Sequence, residues 1–107
     1  MEKRKFPRVP AVLRIRYRVL RKDDMIFTDD EAVSRDMSLG GLALALGNQT
    51  PLSKDDMVRI EVIEGKAAGV RAYAEVAWSH DDAVGLPFMG ILDEDSQRLS
   101  SMFQEQA

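Results

Sequence analysis

From Leu13 to Val19 the chain alternates without a break. Leu13, Ile15, Tyr17 and Val19 share one parity; Arg14, Arg16 and Arg18 share the other. Successive side chains of a strand point to opposite faces, so residues 11–20 predict a strand that is apolar on one side and cationic on the other. RKDDM then reads as a polar turn. MIFTDDEAVSRDMS predicts an edge-like strand of weaker pattern running into a loop, and DMSLGG a turn or bulge. LALAL is a short strand and GNQTPLSKDD a loop of turn formers. MVRIEVI alternates again, EGKAAG turns the chain, and VRAYAEVAWS reads as one longer strand. After a turn at HDD, AVGLPFMGI is the last strand. Pro87 has no N–H to give a ladder, which predicts an edge position or a bulge there. Tyr73 and Trp78 differ in parity within their strand, which sends Trp78 inward. Met25, Met57, Met89 and Met102 read as core or gap-filling residues.

The period changes in LDEDSQRLSSMFQEQ. Leu92, Leu99, Met102 and Phe103 fall at helical spacing, Asp93 is the expected N-cap, and Glu94 and Asp95 suit the positive end of the helix dipole. Six short strands and one terminal helix predict a mainly β fold: a six-stranded antiparallel barrel with a C-terminal α-helix laid on the sheet or its open end. Closure also removes exposed strand edges. At 107 residues and 45% hydrophobic content the chain suffices for one domain with a modest core. Residues 1–10 are expected as a cationic arm and 11–107 as the barrel with its closing helix.

Charge sharpens this division. Residues 1–22 hold nine of the fifteen lysines and arginines and one acid; the rest holds six basic residues against seventeen acids. A cationic end on an acidic body points to a local anion site or an acidic partner, not to a nucleic-acid binder that is basic throughout. A single-strand binder on a small barrel also wants a run of surface aromatics, and aromatics make up only 7%.

The chain has no cysteine, which removes disulfides, zinc–thiolate sites and cysteine nucleophiles. His80 is the sole histidine and falls in an expected turn. The pairs Asp23–Asp24, Asp29–Asp30, Asp55–Asp56 and Asp81–Asp82 also border turns, where aspartate bonds its own backbone. No calcium loop, P-loop, GxSxG or GxGxxG occurs. Nothing here pairs a nucleophile with a base, so an enzyme is not expected. The N-terminus lacks the apolar run of a secretory signal, and the longest apolar runs are too short to span a bilayer. A cytoplasmic protein is the expectation.

Two segments offer ligand chemistry. In RKFPR, Arg4 and Arg8 present planar guanidinium donors suited to phosphate oxygens or the O6/N7 edge of guanine, beside Lys5, and Pro7 stiffens the arm. In DMSLGG, Asp36 can accept from the N1 and N2 groups of guanine, Ser38 can donate or accept, and Gly40 and Gly41 let the backbone approach a flat ligand. Taken singly, a basic tail and a tight turn account for each.

Together and in this order they resemble the PilZ domain family, whose pattern is RxxxR followed some thirty residues later by [D/N]xSxxG. RVPAVLRIRYRV resembles the family's first strand, and VGLPFMGILDEDSQRLSSMF its final strand and closing helix, so the resemblance covers nearly the whole chain. It implies a receptor for the bacterial second messenger cyclic di-GMP. Arg4 and Arg8, with Lys5 beside them, would clamp phosphates and guanine edges. Asp36 and Ser38 would form the pocket floor, shaped by Gly40 and Gly41. The arm is expected to order on the ligand and signal to a partner protein. The alternative is a barrel of the same fold that binds no nucleotide and docks an acidic partner through Arg14, Arg16 and Arg18.

Overall fold

The computed structural model describes residues 9–10, 12–20, 29–46, 52–80 and 82–106. Among them are eight strands and one helix: β1 (Val9–Pro10), β2 (Arg14–Leu20), β3 (Asp29–Ser38), β4 (Gly41–Ala45), β5 (Met57–Val62), β6 (Arg71–Glu75), β7 (Trp78–His80), β8 (Ala83–Ile91) and α1 (Asp93–Gln106). Six of them close a ring in the order β3-β2-β5-β6-β8-β4, with β4 returning to β3; every pairing is antiparallel. The short β1 and β7 add to β3 and β8. This is the six-stranded barrel that the alternation predicts.

The apolar parity of β2 faces the interior, where Ile15 and Tyr17 are fully buried against Met37, Leu42, Leu44, Ile60 and Leu86. Each such side chain removed from water contributes about 1.5–3 kcal/mol. The helix closes one end. Leu99 and Met102 enter the core, and Phe103 packs on it. Asp95, buried near the start of α1, accepts the Arg71 N–H at 3.3 Å and so ties the helix to β6. Arg98 reaches back to the Lys66 and Ala68 carbonyls in the β5–β6 connection.

Several expectations need correcting. The segment ending in DMS is no edge: β3 is paired on both sides, with β2 and β1 on one and β4 on the other. The β8 strand is likewise interior, between β4 and β6, and its bulge falls at Met89, where Tyr73 pairs with Gly90 but Ala74 with Phe88. Pro87 is tolerated because Phe88 donates toward the β4 side, to the Gly40 carbonyl, so the missing donor of Pro87 faces the interruption between β6 and β7.

That interruption also moves Trp78. Between the pairs Ala74↔Phe88 and Trp78↔Gly85, residues 75–77 face only residues 86–87. The extra residue resets the parity, and Trp78 lies outside, 43% exposed, with its indole over Gly85. Tyr73 is exposed too, as are Met57 and Met89; of the four methionines expected inside, Met102 is buried and Met25 lies outside the described residues. Leu92 is exposed and precedes the helix. Its carbonyl accepts the Ser96 N–H, so Leu92 holds the N-cap position expected for Asp93.

Candidate functional site: the β3–β4 hairpin

DMSLGG builds a hairpin. Asp36, Met37 and Ser38 end β3, Leu39 and Gly40 turn, and Gly41 opens β4 opposite Ser38. Two residues upstream the ladder slips: Ser34 faces Leu44 while Asp36 faces Ala43, leaving Arg35 as an extra residue. The bulge inverts parity. Ala32 and Ser34 point inward, yet after it Met37 is fully buried and Asp36 lies half-buried on the outer side. Without that extra residue the carboxylate would enter the core.

Ser38 shapes the turn. Its hydroxyl oxygen accepts the Gly40 N–H at 3.0 Å and donates to the Gly41 carbonyl at 3.4 Å. Gly41 is needed for close packing. A Cβ there would stand 2.6 Å from the Leu86 carbonyl oxygen and 2.8 Å from the Pro87 Cα, so only glycine lets β4 and β8 meet at this point. On the other side of β3, β1 pairs Val9 with Met37 and Pro10 with Asp36. The chain therefore reaches the hairpin directly from its N-terminal segment. Arg4, Lys5 and Arg8 lie outside the described residues; Asp36, Ser38, Gly40 and Gly41 are brought together.

The cationic face of β2 is largely neutralised from within. Arg14 meets Glu31 at 2.7 Å, which holds the guanidinium above its ordinary pKa through a hydrogen bond and charge attraction. Arg18 meets Asp29 with two nitrogens, at 2.7 and 3.2 Å, and Arg16 meets Glu61 at 3.5 Å. The Arg18 hydrogen bond, with smaller charge contributions, lowers the Asp29 pKa. Sequence reading missed these partners because they come from β3 and β5. Their signal was the presence of Asp29 and Glu31 at one parity of β3 and of Glu61 on the half-exposed face of β5.

A family model for the PilZ domain matches residues 2–105. The chain belongs to the PilZ domain family. PilZ domains are non-catalytic receptor domains that typically bind cyclic di-GMP. Two solved PilZ structures resemble this one. The Bacillus subtilis inhibitor of motility MotI/DgrA aligns over 99% of this chain with a TM-score of 0.75 and 18% identity. The chain spans about half of that protein, 52% of its length. The PilZ domain of CeSA from a cellulose-synthesising bacterium aligns over 94% of this chain and 99% of its own, with a TM-score of 0.67 and 17% identity. At such identity the likeness speaks for the PilZ fold. No curated protein matches the sequence. Among the described residues, no group of His, Asp or Glu side chains is placed to hold a metal ion, and no helix is long and apolar enough to cross a membrane.

Proposed function

We propose that this PilZ domain is a cyclic di-GMP receptor whose ligand lies between the β3–β4 hairpin and the N-terminal arm. In this reading Asp36 accepts from a guanine edge, Ser38 and Gly40 hold the turn that presents it, and Gly41 keeps the turn against β8. Arg4 and Arg8, with Lys5 beside them, clamp the phosphates and the second edge of guanine. One observation carries the proposal: β1 pairs Val9 with Met37 and Pro10 with Asp36. The chain thus runs beside Asp36 and Met37 immediately after the RKFPR half of the motif in sequence, which supports a single site for both halves.

Energetics favour an arm that orders with its ligand. Restricting five residues, 4–8, costs on the order of 5–10 kcal/mol in backbone entropy, less what Pro7 already limits. Charge-assisted hydrogen bonds contribute about 1.5–3 kcal/mol each, so several from the two arginines offset that loss and one does not. Ordering the arm changes the surface beside β1, and a partner protein reads the change. The rival reading, a nucleotide-free barrel docking through Arg14, Arg16 and Arg18, needs a free basic strand; those arginines already face Glu31, Glu61 and Asp29. Calorimetric titration of the chain with cyclic di-GMP is the test. Saturable binding that weakens with added salt is expected; no heat of binding at any ionic strength would leave the rival.

A further inference from the structure

The connection between β5 and β6, residues 63–70, is held from both sides. On one side it meets the root of the N-terminal segment. The Glu64 carboxylate accepts the Arg14 N–H at 2.8 Å, and the Ile63 N–H donates to the Arg14 carbonyl at 3.1 Å. Gly65 takes a φ of 77°, and a Cβ there would stand 3.4 Å from the Leu13 side chain. On the other side the connection meets α1. Arg98 donates to the Lys66 carbonyl at 3.4 Å and to the Ala68 carbonyl. A Cβ on Gly69, at a φ of 94°, would lie 3.4 Å from the same guanidinium. Asp95 accepts the Arg71 N–H where the chain enters β6. Each left-handed glycine therefore stands at one of the two contacts.

Between them the turn is a compact body. The Gly69 N–H donates to the Val62 carbonyl at 2.7 Å, the Ala68 N–H to Gly65 at 3.2 Å and the Val70 N–H to Ala67 at 3.0 Å, and Ala67 and Val70 are fully buried. Close-packed units transmit a displacement instead of absorbing it. The helix is placed to receive one. From Asp93 to Arg98 its sequence, DEDSQR, is polar throughout, and the apolar anchors begin at Leu99. The first half of α1 thus takes its position from the bonds of Asp95 and Arg98. The opposite end of the path reaches the hairpin. The Leu13 N–H donates to the Ser34 hydroxyl at 3.0 Å and the Leu13 carbonyl accepts the Ser34 N–H at 2.9 Å, one residue before the slip at Arg35 that turns Asp36 outward.

We propose that this turn couples the N-terminal segment to α1, so that ordering of the arm repositions the first half of the helix and makes α1 a second surface on which ligand binding is read. The link from Leu13 and Arg14 to Arg98 stands on the contacts alone; its use as a nucleotide signal rests on the function proposed above. The paired β1 and the bonded Arg98 occur together in this structure, so the coupling is positive. Reciprocity then requires that releasing Arg98 loosen the root of the arm.

Two amide NMR measurements on the full chain test the proposal. Without nucleotide, Arg98→Ala should move the signals of Leu13 and Arg14 and speed exchange of the Arg14 amide by about fivefold or more, while Gln97→Ala on the same helix should do neither. Glu64→Ala should move the signals of Ser96 and Arg98, and Glu64→Gln, whose amide oxygen still accepts the Arg14 N–H, should leave them in place. The Glu64 pair carries the test if Arg98→Ala disturbs the fold. With cyclic di-GMP, the amides of residues 95–98 should shift along the same saturation curve as those of residues 36–41, and Arg98→Ala should weaken affinity by about fivefold or more. Unchanged exchange at Arg14 in Arg98→Ala, an equal effect of Gln97→Ala, or a helix that stays still while the hairpin saturates would overturn the proposal. A hairpin that ignores the nucleotide would overturn the nucleotide reading and the signalling use together, while the nucleotide-free measurement decides the link by itself.

Discussion

Gly41 approaches β8 so closely that a Cβ on it would lie 2.6 Å from the carbonyl oxygen of Leu86. The last glycine of DMSLGG therefore serves the meeting of two strands, and the atoms it would strike are backbone atoms that cannot swing aside. Gly41→Ala should destabilise the barrel by about 1–3 kcal/mol, the usual range for overpacking a tight site. Urea unfolding measures this. An unchanged midpoint would mean that β4 and β8 can part at no penalty.

Trp78 and Gly85 give a second, optical test. A Cβ at Gly85 would stand 2.1 Å from the indole Nε1. Here the obstacle is an exposed side chain that can rotate away. Gly85→Ala should lift the ring off the sheet and shift tryptophan emission to the red, with little effect on stability. Emission identical to that of the parent protein would place the indole elsewhere.

The Arg18–Asp29 pair predicts a modest acid limb. The Asp29 pKa is lowered in the folded state, chiefly by the Arg18 hydrogen bond. A depressed carboxylate contributes stability that is present above its unfolded pKa, about 4 for aspartate, and lost as pH falls through the folded value. Both groups are largely at the surface, so the amplitude is small and screened by salt. Asp29→Asn should flatten unfolding free energy against pH below about 4 relative to the parent chain. A slope unchanged by the substitution would remove the pair from the account.

What could be read in the sequence follows from range. The alternation from Leu13 to Val19 is local, and Ile15 and Tyr17 are buried as it requires. Leu99 and Met102 announce their burial through helical spacing in the same way. Trp78 could not be placed, because its orientation depends on residues 75–77 facing only residues 86–87, a relation between two strands that no single segment reveals. Asp36 is similar. Its type and its place before Ser38 were legible, but its outward direction comes from the slip at Arg35 against β4. The role of Gly41 belongs to β8, where it pairs with Pro87 and would strike the Leu86 carbonyl if it carried a Cβ, and is invisible in DMSLGG itself.

The ligand reading separates its residues by experiment. Arg4→Ala or Arg8→Ala should weaken cyclic di-GMP binding by about 1.5–3 kcal/mol each without moving the unfolding midpoint. Loss of fold in either variant would make the arm structural. Asp36→Ala should weaken binding of guanine-containing ligands most. An equal loss for an adenine analogue would detach Asp36 from the guanine edge.

The most direct measurement is an amide NMR titration with cyclic di-GMP at near-physiological ionic strength, following residues 4–8 and 36–41 together. The account predicts that both segments shift in parallel along one saturation curve and that the arm gains protection from hydrogen exchange. Saturating nucleotide that leaves either segment unmoved would contradict it.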